Sequence, residues 1–175
     1  MRKASGSAMP RLSGGNRLHD TPCHCTFCNK RNINICIINM YKIILASNSP
    51  RRKELLRGLD IEFQVKIIDG IDESYPADLP AHDTAEYIAV KKAEAYKAVI
   101  DSDELVITAD TVVVVDGEVL GKPTDEADAK HMLAKLSGKT HQVVTGVCLT
   151  TDSRQHHYSV TTDVSFNVLA DAEID

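Results

Sequence analysis

Hydrophobic and polar positions alternate between short apolar runs and helical stripes from residue 41 onward. Tyr41 to Ala46 (YKIILA) is a compact apolar run of strand length. Pro50 comes next and suits the first turn of a helix, where its missing N–H leaves no bond unmade, so a helix is predicted over Arg51–Gly58. Ile61 to Ile68 alternates as a second strand, ended by Asp69-Gly70. Asp83-Thr84-Ala85-Glu86 has the spacing of a capping box, and Ala85, Ile88, Ala89, Ala93, Tyr96, Val99 and Ile100 recur at helical intervals behind it. Leu105–Ala109 and Thr111–Val115 read as buried strand with Asp110 between them, and Asp116-Gly117 supplies a hairpin turn into Glu118-Val119-Leu120. Thr124 is placed to cap a helix whose apolar positions are Ala129, Met132, Leu133 and Leu136, and Ser137-Gly138 ends it. Two long β-rich stretches, His141–Thr151 and His157–Leu169, joined by the polar Asp152-Ser153-Arg154-Gln155, predict an antiparallel pair. Asp171 to Asp175 reads as the first turn of a helix. The pattern predicts an α/β fold with a mixed, twisted β-sheet flanked by helices.

Residues 1–40 break this pattern: they lack periodicity until their last few positions. They hold six Lys/Arg against one Asp, a charge of +5, whereas residues 41–175 hold fourteen against twenty-four, a charge of −10. Four of the five cysteines (Cys23, Cys25, Cys28, Cys36) also fall there. Clustered thiolates with His19 or His24 would suit zinc, but C-x-C-x-x-C lacks a second C-x-x-C pair. The compositional break favours Met40 as the natural start, with residues 1–39 a non-native or disordered extension and 40–175 the globular domain. At 43% hydrophobic residues the 175-residue chain can build a real core. No apolar run approaches the roughly 18 residues of a membrane span. The acidic body argues against a nucleic-acid footprint, and its single Cys148 suits a reducing, cytoplasmic compartment.

The loop between the first strand and the first helix carries the most chemistry. Ser47 and Ser49 precede the helix start, where free backbone N–H groups meet hydroxyls and the cations Arg51, Arg52 and Lys53, an arrangement suited to binding phosphate. A serine-capped surface helix with solvated arginines is the plainer alternative. Asp110 interrupts an apolar run, where an unpaired carboxylate would be costly to bury.

L-A-S-x-S-P-R-R-x-E-L-L at Leu45–Leu56 is followed in order by Gly70-Ile71-Asp72-Glu73, Thr108-Ala109-Asp110-Thr111-Val112-Val113, Gly121-Lys122-Pro123 and the segment from Leu136 to Val147 containing L-S-G-K-T-H-Q-V-V-T-G-V. This series resembles the Maf family of nucleoside triphosphate pyrophosphatases, also called septum formation inhibitors, over Met40 to Asp175. The resemblance implies a Maf or inosine triphosphatase-like fold and cleavage of a nucleoside triphosphate to monophosphate and pyrophosphate. It assigns Asp110 as general base and, with Lys122, as the catalytic pair. Ser47, Arg51, Arg52, Thr111 and Lys122 are expected to bind phosphate and substrate, and Asp72, Glu73 and Asp110 to hold a divalent cation, Mg²⁺ or Mn²⁺. Arg52 and Thr111 match the branch that favours dTTP and UTP over the branch that favours 7-methyl-GTP. Family members continue with a D-K-A-G-A-Y-G-I-Q-like segment at the nucleotide site, so the resemblance implies a member that stops short of it at its C-terminus. A non-catalytic, nucleotide-binding regulator of septum formation is the alternative, and a homodimer stays among the options for assembly.

Overall fold

The computed structural model describes residues 41–174; the N-terminal extension and its cysteine cluster lie outside them. Strands β1 (Lys42–Leu45), β2 (Phe63–Val65), β3 (Glu104–Val115), β4 (Glu118–Leu120), β5 (Thr140–Thr150) and β6 (Gln155–Ser165) form one mixed sheet in the order β2-β1-β3-β5-β6, with β4 also paired to β3. β1 runs parallel to both β2 and β3, whereas β4 and β5 run antiparallel to β3 and β6 runs antiparallel to β5. The helices are α1 (Pro50–Arg57), α2 (Thr84–Tyr96), α3 (Glu126–Leu136) and the single turn α4 (Asp171–Ile174).

Helix α2 carries the core on one face of the sheet. Ala85 packs on Val112, Val114 and Val144, Ala89 and Ala93 pack on Cys148, and Tyr96 packs on Ile44 and Val106. Small side chains along this stripe let the helix approach closely. The approach is tightest at Gly146 of β5, where an added Cβ would stand 2.3 Å from Glu86 N and 2.4 Å from the Ala85 carbonyl. Asp116 (φ 52°) and Gly117 (φ 82°) both adopt positive φ, so the predicted hairpin turn closes β3 onto β4 with the twist that primed turns match.

Several boundaries differ from the pattern in the sequence, each for a local reason. β2 keeps only three of the eight residues from Ile61 to Ile68, because the Tyr96 hydroxyl captures the following segment: it accepts from Ile68 N at 3.1 Å and donates to Lys66 O at 2.9 Å. Asp83 does not build a capping box, since the 3₁₀ turn Ala81–Asp83 gives it helical angles and its side chain caps nothing. Helix α2 itself ends at Tyr96; beyond it Val99 is 47% exposed, while Ile100 still packs against the cluster of Ile44, Tyr96 and Val106. In α3 the cap falls to Asp125, not Thr124: its extended backbone lets it accept from Asp128 N at 2.8 Å, and Asp128 accepts in return from Thr124 N at 2.9 Å. β6 starts earlier than expected because Thr150 pairs with Gln155, which draws Gln155 and His156 into the strand. β3 runs unbroken through Asp110.

Candidate active site

Strand β3 is longer than either neighbour on the edge facing away from β5, and the site lies in the resulting fork. β1 pairs with Glu104–Ile107 and β4 with Val113–Val115 of the same strand. Between these pairings the edge of β3 from Thr108 to Val112 has no ladder partner on that side, and a cleft of about 510 Å³ opens there. It lies beyond the carboxyl end of the parallel pair β1 and β2, where open α/β sheets place their ligands.

The β1–α1 loop closes one wall. Ser49 caps α1 by accepting from Arg52 N, and Ser47, 7% exposed, accepts from Ser49 N at 3.2 Å. Arg52 then reaches across the fork. Its Nη1 donates to the ladder-free Ala109 carbonyl at 2.8 Å and to Ser47 Oγ at 3.4 Å, while Nη2 donates to Thr111 Oγ1 at 3.3 Å. Thr111 shares a further hydrogen bond of 3.1 Å with Thr145 on β5. The guanidinium is thereby held to one orientation, which reduces the entropy it must lose on binding an anion.

Helix α2 supplies the opposite wall through Lys92. Its Nζ lies 2.7 Å from Asp110 Oδ1 and 3.0 Å from Glu73 Oε1, and the Lys92 and Asp110 side chains are each only 15% exposed. Asp110 projects from the same face of β3 as Thr108, whose hydroxyl donates to Ala89 O on α2 at 2.7 Å. The Lys92 hydrogen bond holds the Glu73 carboxyl below its ordinary range, against the opposing effect of burial, and the charges of Lys92, Lys122 and Arg52 act in the same direction. Three cations therefore act on one carboxylate.

Ser47, Arg52, Glu73, Asp110, Thr111 and Lys122 all line the cleft, so the structure gathers six residues expected from sequence. Arg51 and Asp72 are not among them. Arg51, the next residue on α1, is exposed and outside the lining. Asp72 is turned onto Ser74 and Lys91. Lys92 was not anticipated, although a signal for it exists: it lies four residues from both Ile88 and Tyr96, inside the apolar stripe of α2. A lysine on the buried face of a helix needs a partner. The donor set fits a divalent cation, because Glu73 and Asp110 already converge on one positive group and Mg²⁺ commonly takes one or two carboxylates plus phosphate oxygens and water. Asp72 does not belong to that set in this arrangement.

One polar cleft is thus lined by a clamped arginine, two lysines and the carboxylates of Asp69, Glu73 and Asp110. The chain belongs to the Maf-like protein family, whose model matches residues 42–175. A dTTP/UTP pyrophosphatase of Phocaeicola vulgatus is 59% identical over 138 residues, 79% of this chain and 72% of that protein. One of the same name from Bacteroides thetaiotaomicron is 53% identical over 137 residues, 78% of this chain and 71% of that protein. Among solved structures, a nucleoside-triphosphatase / dITP/XTP pyrophosphatase from Mycobacterium abscessus is 19% identical, with a TM-score of 0.45 over 71% of this chain and 73% of that one.

Proposed function

We propose that this protein hydrolyses dTTP and UTP to the nucleoside monophosphate and pyrophosphate in the fork between β1 and β4. The observation that carries the reading is the convergence of Arg52, Lys92 and Lys122 with Glu73 and Asp110 in one cleft. The names of the curated relatives support the pyrimidine nucleotides as substrates. A purely binding regulator would need the cations alone, whereas the carboxylate pair suits chemistry on water.

In this reading the serine loop and the N-terminus of α1 hold one end of the polyphosphate, and Arg52 clamps phosphate oxygens while staying tied to Ala109 and Thr111. Lys122, on the loop after β4, places a point charge on the same anion from the other side of the cleft. Asp110 takes the proton of the attacking water, and the bond broken is the α–β phosphoanhydride, so pyrophosphate leaves with its charge met by the lysines. Glu73 and Asp110 would hold Mg²⁺ or Mn²⁺, which supplies charge neutralisation at the phosphates when bound. Lys92 keeps both carboxylates aimed into the cleft. Hydrolysis of dTTP and UTP by the purified chain, with pyrophosphate as product and loss of turnover in Asp110→Asn, tests the proposal. Turnover that persists in that variant would place water activation elsewhere.

A further inference from the structure

Two consecutive lysines on α2 grip two consecutive acids on the loop opposite. Lys92 holds Glu73 inside the cleft, and Lys91 holds Asp72 outside it. The Lys91 ammonium has three N–H donors and three acceptors within reach: Asp72 Oδ2 at 2.7 Å, Ser74 O at 2.8 Å and Ser74 Oγ at 3.1 Å. The turn it grips is closed on itself. Asp72 Oδ1 accepts from Ser74 N at 2.9 Å and Asp72 Oδ2 accepts from Ser74 Oγ at 2.7 Å. Glu73 sits between the two clamped residues, so its backbone is fixed on both sides.

We propose that Lys91 is a positioning residue: by clamping the Asp72–Ser74 turn to α2 it holds Glu73 in the cleft. A single exposed ion pair would be a weak device. Here one ammonium also takes a backbone carbonyl and a hydroxyl of the same turn, which restricts the turn more than charge attraction alone. The assignment gives Asp72 a role that its position outside the cleft otherwise leaves unexplained. It rests on the pyrophosphatase reading only for its kinetic arm.

The test compares the full chain with Lys91→Ala, Asp72→Asn and the double variant, by hydrogen exchange over residues 70–79 and by UTP turnover with Mg²⁺. Loss of the clamp is expected to speed exchange in that segment while the β3 and β5 amides keep their protection. Each single change is expected to lower kcat about tenfold, the scale of a misplaced catalytic group, with KM changed less than about twofold and no further loss in the double variant. Lys91→Arg, which keeps the charge and donors, should retain most of the activity. Should Lys91 act by its charge on the substrate, Asp72→Asn would raise activity or leave it unchanged, and that result overturns the proposal. Unchanged exchange in Lys91→Ala overturns it as well, and so does additive loss in the double variant. A wild-type chain that turns over no UTP would defeat the pyrophosphatase reading, while the exchange data would still decide the clamp.

Discussion

Arg52 and Arg51 are neighbours in sequence with different surroundings, and they separate the proposed site from the helix that bears it. Arg52 spans the cleft to Ala109 and Thr111, so Arg52→Ala should lower triphosphate turnover by ~10²-fold or more, the scale of losing a charge contact in the transition state. Arg51 is exposed and outside the cleft, so Arg51→Ala should cost no more than a few-fold in kcat/KM, on the order of a screened surface charge. Equal losses in steady-state assays would return Arg51 to the site. Glu73 makes a second prediction at this scale. Its carboxyl is held below the ordinary glutamate value of 4.5 by its hydrogen bond to Lys92. The stabilising ion pair is fully present above that ordinary value and is lost as pH falls through the lower folded value. Lys92→Met should therefore move the acid transition of Glu73, followed by its side-chain carboxyl NMR shift, up toward 4.5. An unmoved transition would mean that another group holds the charge. Ser47, Arg52, Asp110 and Lys122 could be anticipated because each belongs to a local motif. The outward turn of Asp72 could not, because it depends on how the loop after β2 meets α2, a long-range contact with no local signature; the place of Lys92 in the apolar stripe of α2 signals a partner but not which carboxylates it meets.

Among the elements, α2 decides most of the site's geometry. It places Tyr96 under the segment after β2, Lys92 between the carboxylates and Ala85 against β5. Its apolar stripe was readable from spacing, as were the alternation of strands and helices and the β3–β4 turn at Asp116-Gly117. The fork itself was not: the sequence places strands on either side of Asp110 but does not say that one strand continues through it while its partners stop short. Gly146 is the point where this packing can be tested. Gly146→Ala would drive a methyl group into the Ala85–Glu86 backbone, a contact that no rotamer can relieve. Overpacking of this kind costs about 1–3 kcal/mol, so thermal unfolding should show Tm lower by several degrees. Turnover should fall too, because lifting α2 moves Lys92 away from Asp110. An unchanged Tm would show that helix and sheet are less closely packed than described.

The charge of the whole chain gives the cleft its contrast. Residues 41–175 carry fourteen Lys/Arg against twenty-four Asp/Glu, yet Arg52, Lys92 and Lys122 gather around one opening. Against that net charge the three cations offer a local attraction to a small anion such as the proposed triphosphate. Raising ionic strength should accordingly raise KM for UTP more than it lowers kcat, a dependence that steady-state kinetics from low to high salt would show. Pyrophosphatase chemistry at Asp110 is tested most directly by product analysis with UTP and Mg²⁺ for the wild-type chain and Asp110→Asn side by side. UMP and pyrophosphate in equal amounts are expected from the wild type, and no turnover from Asp110→Asn although it still binds UTP. Release of UDP and orthophosphate, or undiminished hydrolysis by the variant, would contradict it.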